Sequence, residues 1–548
     1  MTNIFGTKRK ATDFFTQKKY REGQRETIEQ IEDAFNRRKR IVILEAPTGS
    51  GKSRIAEAFA RQANNTYILT PQKILQDQYE RDLVGKDIKI VKGRGEYSCL
   101  RLKGTCNEGM CKRKIEVDSE GKQIQEKCVN CPYSLALQKA KESSITIHNF
   151  DSFYCQNLIG GFDTRKLLII DECHNIENKY LDFISLKFSD KRYLGNLSIP
   201  NYRTLEEYAL FLEELNTYLE DRAGILEEKK HKGLDNEEVK ELDFCKSSIK
   251  KLEIFFDSRN DGYEWVHEFK DKDYYKTIEF KPLFIQPFVK RTLFPKGHYI
   301  LMMSATICDS KIFTQSIGLE NQNEIEFIRE GSHFPLENHS IEKRNIGFMS
   351  RKYIEDNLPK LISRIEEILM IHSGQKGIIQ THTERIANYI KEHLNNSRLT
   401  FNKDSETPKE MLKKHENKDS SVIVASGLRE GIDLPGKLSE FQIICKTPYP
   451  DLGDKRVERK SKIEPKWYQW MTTMAFIQSL GRSVRSKEDE VATYILDSCF
   501  SRFYLQNKKF FPFHLQKIIS NSFFKNNHAK IIAKPKIKER NIFELAQK

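Results

Sequence analysis

A strand, a glycine-rich loop and a helix follow one another near the start of the chain and constrain its fold more than any other feature. Residues 41–44 are apolar, residues 45–53 contain the glycines, and residues 54–60 place apolar side chains at helical spacing. This order is the context of a phosphate-binding loop, in which backbone N–H groups and a helix N-terminus surround phosphate oxygens. The predicted nucleotide-binding residues of the loop are Ala46, Pro47, Thr48, Gly49, Ser50, Gly51, Lys52 and Ser53.

Two side chains of this loop have the chemistry that ATP hydrolysis requires. Lys52 would reach the β- and γ-phosphates, and the hydroxyl of Ser53 would ligate Mg²⁺. Ala46 departs from the strictest form of the pattern, which has glycine at its position. Upstream, Gln24 lies on a predicted helix that ends near Phe35. Its amide could hydrogen-bond an adenine edge if that helix packs beside the loop, and a solvated glutamine is the alternative.

A second apolar strand, residues 167–170, ends in an acidic pair. Four consecutive apolar residues are typical of a strand buried in a parallel sheet, and ligands bind at the carboxyl ends of such strands. We expect Asp171 to hold Mg²⁺ through water, and Glu172 to orient and deprotonate the attacking water. His174 is expected to report the nucleotide state to neighbouring segments. With Lys52, this pair predicts an ATP hydrolase.

The length and charge of the chain limit its class. A chain of 548 residues exceeds the size at which a single core stops growing, so several domains are expected. The net charge of +14 favours a polyanionic partner, nucleic acid above all, although a generally basic proteome is the alternative. The sequence has no apolar run of membrane-spanning length and no signal peptide at its start. It therefore predicts an intracellular protein without membrane attachment.

Five of the eleven cysteines fall between residues 99 and 131. The residues between Cys111 and Cys128 read as a hairpin with its turn at 118–121, which would place these two thiols opposite each other. Cys131 follows in a Cys-x-x-Cys pair, and Cys99 or Cys106 could supply a fourth thiol. Four thiolates suit structural Zn²⁺ or an iron–sulfur cluster, and the spacing does not choose between them. Free buried cysteines are the third possibility.

Other strand ends carry hydroxyl groups beside a turn. A hydroxyl at the carboxyl end of a strand, next to a helix N-terminus, can hold a nucleic-acid phosphate, and an ordinary strand-to-helix turn is the alternative. The residues for which we predict nucleic-acid contacts are Thr70, Pro71, Gln72, Ser304, Thr306 and Thr381.

The second half of the chain repeats the strand-and-helix rhythm. A strand at 421–425 leads into a glycine-bearing loop that contains Gly431 and Asp433, and a helix later carries Gln478. Arg482 and Arg485 are three residues apart and so share one helix face. Two guanidinium groups placed in this way can clamp a γ-phosphate across a domain cleft, although surface charge is the usual reading of such a pair in isolation.

The order of these motifs resembles that of superfamily-2 helicases, and within them the iron–sulfur group that includes XPD and DinG. The resemblance rests on residues 45–53, 171–174, 304–306, 431–433 and 478–485, and on the sequences Lys92–Tyr97 and Cys131–Tyr133 at the borders of the cysteine segment. Cys173 stands where that group usually has alanine. The resemblance covers nearly the whole chain.

The resemblance implies an α/β fold with two RecA-like parallel-sheet motor domains and ATP at their interface. An iron–sulfur domain and a helical arch domain would be inserted in the first motor domain. The expected boundaries are 1–98, 132–177 and 271–308 for the first motor domain, 99–131 for the cluster domain, 178–270 for the arch and 309–548 for the second motor domain.

The resemblance also implies an activity and a cofactor. The activity is ATP-driven 5′→3′ translocation of a monomer on single-stranded DNA, with unwinding of duplex and forked DNA and a place in DNA repair. A 4Fe–4S cluster is implied in preference to zinc. The hairpin and the family border together favour Cys99, Cys111, Cys128 and Cys131 as its ligands, with Cys106 as the alternative.

Overall fold

Two parallel β-sheets, one formed by strands within residues 41–329 and the other by strands within residues 339–497, organise the computed structural model of the protein. The structure describes residues 3–71, 73–83, 87–114, 116–117, 123–124, 130–158, 161–331, 335–401, 408–426, 434, 436–484 and 488–524. Among the helices of these ranges, none is long and apolar enough to cross a membrane.

The strands are β1 (Ile41–Glu45), β2 (Thr66–Thr70), β3 (Ile88–Val91), β4 (Glu116–Val117), β5 (Gln123–Ile124), β6 (Ile145–Asn149), β7 (Arg165–Ile170), β8 (Leu186–Ser189), β9 (Trp265–Lys272), β10 (Tyr275–Pro282), β11 (Gly297–Ser304), β12 (Ile325–Arg329), β13 (His339–Gly347), β14 (Gly377–Gln380), β15 (Leu399–Phe401), β16 (Val422–Ala425), β17 (Phe441–Ile444) and β18 (Val491–Asp497).

The helices are α1 (Gln24–Asn36), α2 (Lys52–Ala63), α3 (Lys73–Asp82), α4 (Met110–Arg113), α5 (Pro132–Glu142), α6 (Phe150–Leu158), α7 (Ile176–Ile184), α8 (Leu205–Lys229), α9 (Asn236–Asn260), α10 (Gln286–Thr292), α11 (Ser310–Ser316), α12 (Ile354–Ile371), α13 (Glu384–His393), α14 (Pro408–Asn417), α15 (Lys455–Ile463), α16 (Pro465–Leu480), α17 (Cys499–Asn507) and α18 (Phe513–Phe524).

The first sheet has the strand order β12-β1-β11-β7-β2-β6-β3, and all its pairings are parallel. Side chains of β1 enter two apolar clusters alternately: Ile43 belongs to one, and Val42 and Leu44 belong to the other. A strand covered on both faces must be apolar throughout, which explains the continuous apolar runs in the sequence. Because the strands are parallel, their carboxyl ends meet at one edge, with Glu45 opposite Ser304.

The second sheet has the order β13-β18-β17-β14-β16-β15 and is also entirely parallel. The prediction of an α/β protein with two parallel-sheet domains is therefore confirmed. The two insertions are present in the first domain. The cysteine segment lies between β3 and α5, and the helix pair α8 and α9 lies between β7 and β11.

Two predicted boundaries need correction. The first motor domain does not end at 308, because β12 pairs with β1 in the first sheet. The arch does not end at 270 and is not wholly helical, because β8, β10 and β9 form an antiparallel sheet that extends to Pro282. Charged residues fill much of β9 and β10, so these strands lack the apolar pattern that identifies a strand from sequence.

A buried ion cluster joins α7 of the first domain to α15 and α16 of the second half. The carboxylate of Glu177 accepts hydrogen bonds from Arg456 Nη2 (2.6 Å), Lys460 Nζ (2.6 Å) and Trp467 Nε1 (3.0 Å). Burial alone would raise the pKa of Glu177, but the charges of Lys460 and Arg456 outweigh it, and the pKa falls from the ordinary 4.5 to about 2. The two halves of the chain are thus held together by charges that water does not screen.

We expect the substitution Glu177→Gln to lower the free energy of unfolding by about 3–5 kcal/mol, because it leaves the buried Arg456 without a counter-charge and Lys460 with only the more distant Glu464 (3.9 Å). Urea unfolding followed by circular dichroism would measure the change. Glu264→Gln is the matched control, since Glu264 pairs with Arg459 at the same junction but in an exposed position (3.0 Å), where a loss of at most about 1 kcal/mol is expected.

The direction of the pKa shift of Glu177 provides a second test, the pH dependence of the stability difference between the wild type and Glu177→Gln. The native pKa of Glu177 lies below its unfolded value, so its contribution to stability is complete above about pH 4.5 and is lost as the pH falls toward 2. The stability difference between the wild type and Glu177→Gln should therefore shrink over this range. A difference that stays constant with pH would contradict the assignment.

Candidate functional site

The phosphate-binding loop turns between β1 and α2 as the sequence predicts. Gly49 and Gly51 have φ values of 83° and 89°, which side-chain-bearing residues rarely adopt, and Gly51 caps the N-terminus of α2. Lys52 Nζ donates to the carbonyls of Ala46 (3.1 Å) and Pro47 (3.5 Å), so the ammonium group lies over its own loop. Gln24 Nε2 donates to the carbonyl of Gly51 (3.1 Å). The first helix therefore packs beside the loop, which is the condition under which Gln24 could reach an adenine edge.

The acidic pair lies at the end of β7, next to this loop. Asp171 is buried, and its carboxylate accepts hydrogen bonds from the hydroxyl of Tyr79 (3.0 Å) and the backbone N–H of Glu172 (3.0 Å). Burial and the neighbouring Glu172 raise the pKa of Asp171 to about 6, while Lys52 opposes this. Glu172 has a φ of 47°, a left-handed conformation that is uncommon for this residue type, and residues with such strained backbones cluster at functional sites.

A loop at residues 304–308 connects the nucleotide site to the rest of the first domain. The carbonyl of Ser304 accepts from Ala46 N–H (3.0 Å), and the hydroxyl of Ser304 contacts His174 Nδ1 (2.7 Å). Glu45 Oε1 accepts from the N–H groups of Ile307 (2.7 Å) and Cys308 (2.8 Å). The phosphate-binding loop and the acidic segment are therefore both bonded to this one loop.

Helix α16 of the second domain also contacts the loop at 304–308. Trp470 Nε1 donates to the carbonyl of Ile307 (2.7 Å), and Gln478 Nε2 lies 3.5 Å from Thr306 Oγ1. Between the domains lies a cavity of about 620 Å³. The predicted residues that line it are Gln24, Pro47, Thr48, Gly49, Gly51, Lys52, Ser53, Pro71, Asp171, Glu172, His174, Thr306, Gln478 and Arg482, while Ala46 and Ser50 are buried beneath it.

The hydroxyls predicted to touch nucleic acid are mostly used inside the protein. Thr70, Ser304 and Thr381 are fully buried. Thr381 Oγ1 donates to the carbonyls of Thr383 (3.0 Å) and Ala425 (3.2 Å), and Ser304 Oγ donates to the carbonyl of Thr306 (3.2 Å). All three side chains are buried in this arrangement of the domains, and their contact with nucleic acid stays a prediction. Gln72, Cys128, Gly431, Asp433 and Arg485 lie outside the described residues.

The cysteine segment brings together the thiols that the structure describes. The antiparallel pairing of β4 with β5 confirms the hairpin, whose turn is not among the described residues. Arg94 Nη2 lies 4.0 Å from both Cys106 Sγ and Cys111 Sγ, and the Cys106 and Cys131 thiols hydrogen-bond each other. Cys106, the alternative ligand, is the buried member of the group.

Backbone amides favour the thiolate form of two of these cysteines. Burial opposes ionisation of Cys131, but N–H groups at the start of α5 outweigh it and lower its pKa. Amides of Met110, Arg101 and Leu102 likewise lower the pKa of Cys99 against burial. In the described part of the chain, no three Cys, His, Asp or Glu side chains are close enough to hold a single metal ion. The donor set is nevertheless the thiolate-rich one that an iron–sulfur cluster requires.

Three residues of the site were not predicted from sequence. Glu45 ends an apolar strand with a charge, which is a signal that could have identified it. Tyr79 and Trp470 give no such signal, because their contacts depend on how α3 and α16 are rotated against the first sheet.

Comparisons with known proteins agree with this geometry. The family model "Type III restriction enzyme, res subunit" matches residues 17–208, and "Helicase C-terminal domain" matches residues 380–517. A probable ATP-dependent helicase of Methanocaldococcus jannaschii is 22% identical, over 89% of this chain and 93% of the relative.

Two solved structures are similar across nearly their whole length. Xpd4 of S. tokodaii has a TM-score of 0.58 at 14% identity, covering 89% of this chain and 97% of that one. A structure described as an XPD helicase has a TM-score of 0.63 at 16% identity, covering 92% and 99%. The chain therefore has two RecA-like domains. Its fold is that of the XPD helicases, as the motif order indicated.

We expect Glu45→Ala to loosen the loop at 304–308, because two buried N–H groups lose their acceptor. Hydrogen exchange of the Ile307 and Cys308 amides should become faster by about tenfold or more. Mass spectrometry of peptides that span the loop would measure it. Asp33→Ala, which removes an exposed partner of Arg37 on α1, is the control and should leave this exchange unchanged. Equal exchange in the wild type and Glu45→Ala would contradict the role of Glu45.

Proposed function

We propose that the protein is a Mg²⁺-dependent ATP-driven motor that moves 5′→3′ along single-stranded DNA and unwinds duplex and forked DNA as a monomer. The observation that carries the proposal is the cavity between the domains, where Lys52, Asp171 and Glu172 face Gln478 and Arg482. Residues of both domains are needed to surround one triphosphate, so nucleotide binding and domain movement are linked. The net charge of +14 supports a nucleic-acid track. The choice of DNA, the polarity and a role in repair follow from the family resemblance.

The roles proposed for the residues follow from their chemistry. The amides of the glycine-rich loop and the ammonium of Lys52 bind the β- and γ-phosphates. Ser53 and Asp171 would hold Mg²⁺, which would neutralise charge on these phosphates. Glu172 takes a proton from a water molecule, and the oxygen of this water attacks the γ-phosphorus. The bond between the γ-phosphorus and the oxygen that bridges the β- and γ-phosphates breaks at the same time, and ADP leaves. Nucleotide contacts of Gln24, Gly431 and Asp433 belong to the same proposal.

Arginine residues of the second domain complete the site when the cleft closes. Arg482 lines the cavity, and we place Arg485 with it on the γ-phosphate. A guanidinium group stabilises the charge that develops during transfer, so hydrolysis requires the closed arrangement. Reopening after phosphate release moves the second domain relative to the first. Repetition of this cycle, while the loops at the strand ends grip the nucleic acid, produces translocation.

The first test is a comparison of Lys52→Ala with the wild type. The wild type should hydrolyse ATP faster when single-stranded DNA is added, and should displace the strand from a duplex with a 5′ tail but not from one with a 3′ tail. Lys52→Ala should lose at least about 100-fold in ATPase rate, because it removes a charge that contacts the transferred phosphoryl group.

Three outcomes would change the proposal. Displacement on 3′-tailed duplex alone would reverse the polarity. DNA-stimulated ATPase without displacement would leave a translocase that remodels other structures. Stimulation by RNA only, or by neither nucleic acid, would overturn the DNA substrate.

We also propose a 4Fe–4S cluster held by Cys99, Cys111, Cys131 and a fourth thiol from Cys106 or Cys128. The fit is supported by the donor set and by the amides that favour thiolates at Cys99 and Cys131. The burial of Cys106 and the hydrogen bond between its thiol and that of Cys131 support Cys106 as the fourth ligand. The cluster would cross-link a segment that has only a small apolar core of its own.

The iron content of two variants would show whether Cys106 or Cys128 is the fourth ligand. After anaerobic purification, we expect Cys106→Ser to lose most of its iron and its visible absorbance, and Cys128→Ser to retain both. The reverse result would restore the ligand set favoured by the hairpin. Retention of zinc in place of iron in the wild type would replace the cluster by a structural zinc site.

A further inference from the structure

Tyr79 makes a contact to the acidic pair that the proposed mechanism does not use. It lies on α3 and is 1% exposed, and its hydroxyl donates to Asp171 Oδ2 at 3.0 Å. Its ring belongs to the same apolar cluster as Phe59 and Ile68. A buried tyrosine in such a cluster needs a partner for its hydroxyl, and here the partner is a carboxylate in the nucleotide cavity.

The two oxygens of Asp171 are held from different directions. Oδ2 accepts from Tyr79, which comes from α3, and Oδ1 accepts from the backbone N–H of Glu172, which comes from the turn after β7. The bond to the next residue of the same turn and the bond to α3 together fix the plane of a carboxylate that either bond alone would leave free to rotate. The side chain would otherwise have a choice of orientations within the cavity.

The helix that carries Tyr79 is itself held in place. Gln76, one turn earlier on α3, is fully buried, and its Nε2 donates to the carbonyl of Val91 at 2.7 Å. This bond ties α3 to β3 at the far edge of the first sheet. The position of the Tyr79 hydroxyl is therefore set by the sheet.

We propose that Tyr79 is a positioning residue that holds the carboxylate of Asp171 in the orientation needed to accept hydrogen bonds from the water shell of nucleotide-bound Mg²⁺. The inference rests on the proposed function, in which Asp171 holds that ion. Tyr79 would affect the binding of metal-bound nucleotide only, because without the metal there is no water shell for the Asp171 carboxylate to contact. This restriction separates positioning from a simple packing role.

The test uses Tyr79→Phe in the full chain, which removes one oxygen and keeps the ring. Affinity for a fluorescent ATP analogue would be measured by titration in Mg²⁺ and again in EDTA. We expect Tyr79→Phe to lose about tenfold in affinity in Mg²⁺, the size typical of a hydrogen bond to a charged group, and to match the wild type in EDTA.

Tyr180→Phe is the matched control. Tyr180 is also buried, and its hydroxyl forms a 2.7 Å hydrogen bond with Thr292 Oγ1. Neither residue lines the cavity. The variant therefore measures the cost of removing a buried tyrosine oxygen elsewhere in the same domain. We expect its nucleotide affinity to equal that of the wild type under both conditions. Thermal unfolding of both variants would establish that they are folded.

Asp171→Asn separates failure of this inference from failure of the proposed function. If Mg²⁺ strengthens binding to the wild type, and Asp171→Asn abolishes that effect while Tyr79→Phe retains it, the positioning role is overturned and the proposed function stands. An equal loss for Tyr79→Phe in Mg²⁺ and in EDTA assigns Tyr79 to packing and also overturns the role. If Asp171→Asn keeps the full Mg²⁺ effect, the assignment of Asp171 itself fails and this inference fails with it.

Discussion

The structure depends most on the carboxylate of Glu45, at the last position of β1. It accepts from the N–H groups of Ile307 and Cys308, and it pairs with Arg329 Nε at 2.5 Å. These bonds join three adjacent strands of the first sheet, β12, β1 and β11, at the edge where the phosphate-binding loop begins. A buried carboxylate requires such partners, because an unpaired charge in this position would cost several kcal/mol. The loop at 304–308 is consequently fixed to the strand that precedes the nucleotide.

Parallel pairing explains why the chemistry collects at one place. Glu45, Ser304 and Asp171 are far apart in the chain, yet the register places the ends of β1, β11 and β7 side by side. The long segments between them therefore need no catalytic content, and they are free to form insertions. The helix pair α8 and α9 and the cysteine segment both leave and rejoin the first sheet in this way. The same sheet carries the phosphate-binding loop at one edge and also the two added modules.

The sequence was sufficient for those parts of the site that depend on local order. Lys52, Ser53, Asp171 and Glu172 sit where a strand passes into a turn, and that context is visible as a short apolar run followed by specific residue types. The inward orientation of Thr381 and the pairing of β12 with β1 were not predictable. The first depends on how a strand is rotated in the folded protein, and the second depends on which strands pair. Residue spacing in the sequence contains neither kind of information. The same is true of Cys106, whose burial follows from packing against Tyr133 and Val91 in a small separate cluster.

In the proposed motor, helix α16 would allow the two domains to move without separating. It carries Trp470, whose indole is bonded to the loop at 304–308, and eight residues later it carries Gln478 beside Thr306. Eight helical residues span about 12 Å, so a rotation of roughly 10° about Trp470 would displace Gln478 by about 2 Å. That displacement is enough to break or make a hydrogen bond, while the apolar contacts around Trp470 and the buried Glu177 cluster persist. A pivot at Trp470 would thus convert small changes at the phosphate-binding loop into gain or loss of the second-domain contacts.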